Sequence, residues 1–148
     1  MQTITKMVGI GYNVDQICLM AGAINNYSLA RSRDYKTAVK SSTRVAVLSS
    51  NEDKVLKYLY PAGNLLQYFP YFSRDAIGRA LGYTGPVPWN KNNPIPPNVF
   101  HQPIADTFNC NHSDYLPPSG NQQLNFCQNA ATKFASEVIN ANPKPSYP

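Results

Sequence analysis

A chain of 148 residues is one ordinary domain, too short for two well-developed ones. A hydrophobic share of 43% excludes disorder throughout, while a charged share of only 14% leaves an unusually uncharged surface, of the kind that partners cover. The net charge of +5 is uneven: residues 1–90 hold 10 Lys and Arg against 5 Asp and Glu, and residues 91–148 hold 3 against 3.

The first apolar segment runs from Ile4 to Ile24. Ile4, Met7, Gly11, Val14, Ile17 or Cys18, Ala21 and Ile24 recur at three- and four-residue steps, which predicts an amphipathic helix. Its window Met7 to Ile24 is long enough to approach a membrane span but carries Asn13, Asp15 and Gln16 near its middle. No secretory signal is recognised, so the chain is expected inside the cell, in an organelle or attached to a membrane complex. Gly9 and Gly11 match two positions of a dinucleotide fingerprint whose third glycine is missing, and they are read as helix-packing glycines.

The basic excess follows. Arg31, Arg33, Lys36, Lys40 and Arg44 face one acid, Asp34, and form a candidate patch for an anionic partner: nucleic acid, lipid headgroups or an acidic protein. From Asp34 to Leu48 a helical face competes with a short buried strand at Arg44–Leu48. Helix is the preferred reading, because no neighbouring segment offers a pairing partner. Ser50 and Asp53 resemble a capping box for a helix that Pro61 breaks or kinks. Ser73 would cap a further short helix, Arg74 to Leu81, ended by Gly82.

Six aromatic residues, Tyr58, Tyr60, Tyr68, Phe69, Tyr71 and Phe72, lie within fifteen positions. With Trp89 and Phe100 they are the candidate interface anchors, since such rings combine apolar area with a polar tip. Residues 85–118 hold eight prolines, which exclude regular helix or central strand across most of the stretch. An ordered, extended arm carrying apolar anchors is expected there. The last element, Gln122 to Asn140, sets Leu124, Cys127, Ala131, Phe134 and Val138 on one seam at steps of 3, 4, 3 and 4, with Asn121 as its cap.

The spacing of His101, Cys110, His112 and Cys127 does not match a structural zinc site. Cys110 and Cys127 are either free thiols or a disulfide clamping the arm to the last helix. Cys110 and His112 offer a nucleophile and a base without an evident third group. Helix-turn-helix character at Asp75–Thr84 fails because Pro86 and Pro88 occupy the place of the recognition helix.

Together these features predict a mainly α fold: four or five helices in 1–84, a proline-rich arm in 85–118, and a C-terminal helix and tail in 119–148. The expected function is a non-catalytic structural or accessory subunit that contacts other protein subunits, with no cofactor or metal and no small-molecule ligand. A basic nucleic-acid-associated component is the alternative, and a small enzyme without a recognisable motif is the third.

Overall fold

The computed structural model describes residues 14–67, 78–104, 109–116 and 123–140. Its centre is a wholly parallel sheet of three strands, β1 (Gln16–Met20), β2 (Arg44–Ser49) and β3 (Val99–Pro103), in the order β1-β2-β3. The fold is therefore an α/β mixture, which corrects the expectation of a mainly helical chain.

The run Val45-Ala46-Val47-Leu48 explains the correction. Its β-branched residues suit a pleated surface, and an apolar run without alternation is what a strand covered on both faces needs. Every residue from Val45 to Ser49 is buried. Val45 lies opposite Ile17 on one side and Val99 on the other. Both neighbours are distant in sequence, so local pattern could not reveal them. Within the described residues, the segment expected as a helix from Ile4 to Ile24 supplies β1 instead; residues 1–13 lie outside them. Ile17 and Leu19 alternate toward one face, a period of two hidden inside the helical stripe.

Helices cover both faces of the sheet. On one face, Ile17, Val45 and Val47 pack with Leu29, Leu81 and two residues of α1 (Lys36–Lys40), Ala38 and Val39. That five-residue helix and β2 replace the single helix expected over Asp34–Leu48. On the other face, Ala46 and Leu48 pack with Ile104, Cys110 and the C-terminal helix, α4 below, through Cys127, Ala131, Phe134 and Val138. Full burial of each Val or Leu in such a core contributes about 1.5–3 kcal/mol.

After β2 the chain enters a π-helical segment, Val55–Leu59, that continues into α2 (Tyr60–Gln67). Pro61 does not break this helix. Proline lacks an N–H for the carbonyl of Lys57 and its ring crowds that carbonyl, and the wide turn just before it, with Tyr60 N–H bonded to Val55 O, makes room. Of the helix expected over Arg74 to Leu81, residues 74–77 and the cap Ser73 lie outside the described residues; Leu81 opens α3 (Leu81–Thr84), with Gly82 inside it. A Cβ on Gly82 would lie 2.4 Å from the Gly22 nitrogen, so only glycine permits this approach. Backbone bonds from Gly82 N–H to Gly22 O and from Ser50 N–H to Gly82 O then tie the turns after β1 and β2 together.

The proline-rich stretch begins as turns and extended backbone, with Val87 N–H bonded to Asn26 O and Arg31 N–H to Pro94 O. It then supplies β3 at the sheet edge. An edge strand tolerates Pro103 because one side of it needs no ladder bond. α4 (Phe126–Asn140) starts four residues later than expected. Asn125 caps it, while Asn121, the expected cap, lies outside the described residues: Asn125 Oδ1 accepts from Gln128 N–H, and Gln128 Oε1 accepts from Asn125 N–H, a reciprocal capping box. Leu124 therefore stands outside the seam and is 41% exposed, while Cys127, Ala131, Phe134 and Val138 are buried.

Candidate active site

The site grows from the ends of β2 and β3. In parallel sheets the backbone at the carboxyl ends of the strands opens toward loops that carry side chains to one place. Asp53 follows β2 and is fully buried. Its Oδ1 accepts from Leu56 N–H at 2.9 Å and caps the helix that follows. Its Oδ2 faces His112 Nδ1 at 3.1 Å. His112, carried by the loop after β3, leaves 40% of its side chain exposed against 0% for Asp53. One carboxylate thus ends a helix and orients an imidazole whose other nitrogen, Nε2, is free of that bond.

The loop bearing His112 is held at several points. Cys110 is joined to Cys127 by a disulfide that fastens it to α4. Ser50 Oγ donates to Cys110 O at 2.8 Å, and Asn111 N–H donates to Asp114 Oδ2 at 2.8 Å. Gln128, already part of the capping box, donates through Nε2 to Leu116 O. Asn109 enters the loop in the left-handed region, at φ 36°. Burial pushes the Tyr115 phenol up to about 12, so it remains neutral beside Ser50 and Asp53.

An Nδ1–H donated to a carboxylate fixes the tautomer in which Nε2 is the proton acceptor, and the carboxylate stabilises the imidazolium formed when Nε2 takes a proton. Such a pair can draw a proton from a hydroxyl or a water molecule. Cys110 cannot be the nucleophile paired with His112, because its sulfur is in the disulfide.

The other histidine serves differently. His101 Nε2 lies 2.7 Å from Ser49 Oγ, and Ser49 is buried. Its ring sits where a Cβ on Gly85 would be, and Gly85 has φ +76°. Burial lowers the pKa of His101, favouring the neutral ring.

The five basic residues divide. Arg31, Lys36 and Lys40 line one open cavity of about 790 Å³ together with Pro96, Pro97 and Asn98. Arg33 turns away, its guanidinium 4.2 Å from the Trp89 ring centroid, 5.1 Å from that of Tyr27 and 3.8 Å from Asp34. Arg44 lies over Phe100 at 4.5 Å, beside a cavity of about 210 Å³. Of the aromatic anchors, Trp89 packs on Tyr27 of its own chain, with centroids 4.7 Å apart. Tyr60 is half-buried and donates its hydroxyl to Asn25 Oδ1, whereas Tyr58 and Phe100 are exposed. Tyr68, Phe69, Tyr71 and Phe72 lie outside the described residues.

The pair Asp53–His112 was missed in the sequence, where Asp53 reads as part of a capping box and His112 as a base for Cys110. The available signal was a buried-strand run with a carboxylate four residues beyond its end. Among the described residues, no group of three or more His, Cys, Asp and Glu side chains could hold a metal, and no helix is long and apolar enough to cross a membrane. Comparison with protein-family models, with curated proteins and with solved structures finds no match to this chain.

Proposed function

We propose that His112 is a general base, oriented by Asp53, which activates an oxygen nucleophile for acyl transfer or hydrolysis. The observation that carries this reading is the bond from a partly exposed imidazole to a wholly buried carboxylate, beyond the carboxyl ends of adjacent parallel strands. Burying a carboxylate is expensive unless it is fully bonded, and Asp53 has one partner for each oxygen. The chain order, carboxylate before histidine, is also the order these two members take in hydrolases built on parallel sheets, a likeness of layout only.

Hydrolysis of p-nitrophenyl acetate by the purified chain tests the proposal. The wild type is expected to exceed His112→Gln and Asp53→Asn by about 10²–10⁴-fold, while His101→Gln stays near wild type. Equal rates in all four proteins overturn it.

A second reading is a subunit of a larger assembly, in contact with other protein subunits. It is favoured by Val55, Tyr58 and Leu59, spaced to share one side of the π-helical segment, with Tyr58 and Leu59 62% and 65% exposed. Sedimentation of the isolated chain at high concentration is expected to show species heavier than a monomer, and Tyr58→Glu with Leu59→Glu should return it to monomer. A wild type that stays monomeric removes self-association through this stripe.

A further inference from the structure

The basic cavity lies at the other end of the sheet from Asp53 and His112. Ser41 and Asn98, on its wall, precede β2 and β3, whereas the two site residues follow those strands. The six residues of β2 alone span about 20 Å between the two ends. The cavity is therefore not the pocket of the proposed base, and it calls for an explanation of its own.

Its construction is specific. Ala30 and Val39 lie beneath it as buried core residues, and Pro96 and Pro97 form its apolar wall, with fixed backbone. Asn98 holds that wall to α1 through two bonds from Nδ2, to Val39 O at 2.8 Å and Ser42 O at 2.9 Å. Arg31, Lys36 and Lys40 are exposed at the rim, and among the described residues no acidic one lines the cavity. Asp34, the one acid in this stretch, is engaged by Ser28 Oγ at 3.2 Å and by Arg33. The result is a trough between a helix and an extended segment, apolar below and cationic above.

We infer that this trough binds an acidic segment of a partner protein, with one aliphatic side chain seated against the two prolines and carboxylates meeting the three cations. Charge complementarity selects the anion, and the proline wall selects a chain with a hydrophobic side chain. Nucleic acid fits less well, because among the described residues no aromatic ring lines the trough to stack a base. Lipid fits less well because the exposed large side chains, Tyr58, Leu59, Leu116 and Phe126 among them, are not among the lining residues.

The test uses the full chain and a fluorescein-labelled peptide of glutamates flanking a central leucine, read by anisotropy. Binding is expected to weaken between about 50 and 200 mM salt, to fall about tenfold or more in Lys36→Glu/Lys40→Glu, and to fall in Thr37→Trp, which fills the trough without changing charge. Lys54→Glu/Lys91→Glu makes the same change of net charge outside the trough and should leave affinity near wild type. Circular dichroism melts establish that each variant is folded. Three results overturn the inference: equal losses in both double variants, unchanged binding in Thr37→Trp, or tighter binding of a single-stranded RNA or of phosphatidylserine vesicles than of the peptide. Failure of ester hydrolysis leaves this result untouched, because no residue is shared between the two sites.

Discussion

The two ends of the parallel sheet are built on opposite principles. At the carboxyl ends, the pair Asp53–His112 is fixed by a helix cap, a disulfide and bonds from Ser50 and Gln128. At the amino ends, three cations stand at the rim of an open trough with no acid lining it among the described residues. Chemistry on a bound molecule needs groups held within a fraction of an ångström, and rigid support supplies that. Docking a charged segment tolerates mobile rim charges, whose contribution is to encounter and selectivity rather than to a fixed geometry. The contrast is therefore between an end organised for position and an end organised for potential.

The largest expected effect separates them by cutting the strongest tie. Cys110 and Cys127 lie 17 residues apart in sequence, and a crosslink closing a loop of that length contributes about 3 kcal/mol by constraining the unfolded chain. Cys110→Ala/Cys127→Ala should lower stability by about that amount in urea melts. In the variant at temperatures where it remains folded, esterase activity should fall, because the loop carrying His112 has lost its anchor to α4. Peptide binding at the trough should not change. Loss of both functions together in the folded variant would mean that the two ends are not independent.

How much of this was legible in the sequence follows from the range of each interaction. The C-terminal helix was legible, because a seam at steps of three and four is written within one segment. Its start was misplaced because Asn121 and Asn125 both suit a cap, and only Gln128, three residues after Asn125, completes the box. The sheet was not legible. Val45-Ala46-Val47-Leu48 reads as strand or helix until a partner is known, and its partners stand 28 residues before it, at Ile17, and 54 after it, at Val99. The same holds for the candidate site, since Asp53 and His112 are 59 residues apart and come together only through the sheet. The basic patch was legible as composition but not as geometry. Arg33 and Arg44 carry the same charge as Lys36 and Lys40, yet aromatic rings hold them elsewhere.

The smallest expected effect concerns those remaining lysines and bears on why they are there. Lys36 and Lys40 begin and end α1 and stand four residues apart on it, so their ammonium groups are neighbours on one helical face. Like charges at that spacing destabilise a helix by about 0.2–0.5 kcal/mol. Lys40, in the last turn, recovers part of this from the helix dipole, although a helix of five residues offers little of it. Neither lysine has an ion pair among the described residues, and both are exposed. Lys36→Gln/Lys40→Gln should therefore leave the melting temperature unchanged or raise it slightly, within about 0.5 kcal/mol, while peptide binding weakens. Loss of more than about 1 kcal/mol would show that the two lysines support their own chain, and the trough would then lose its standing as a surface kept for a partner. Slightly raised stability together with weakened binding would mean that the charge at this end of the sheet serves a partner at a small cost to the helix that carries it.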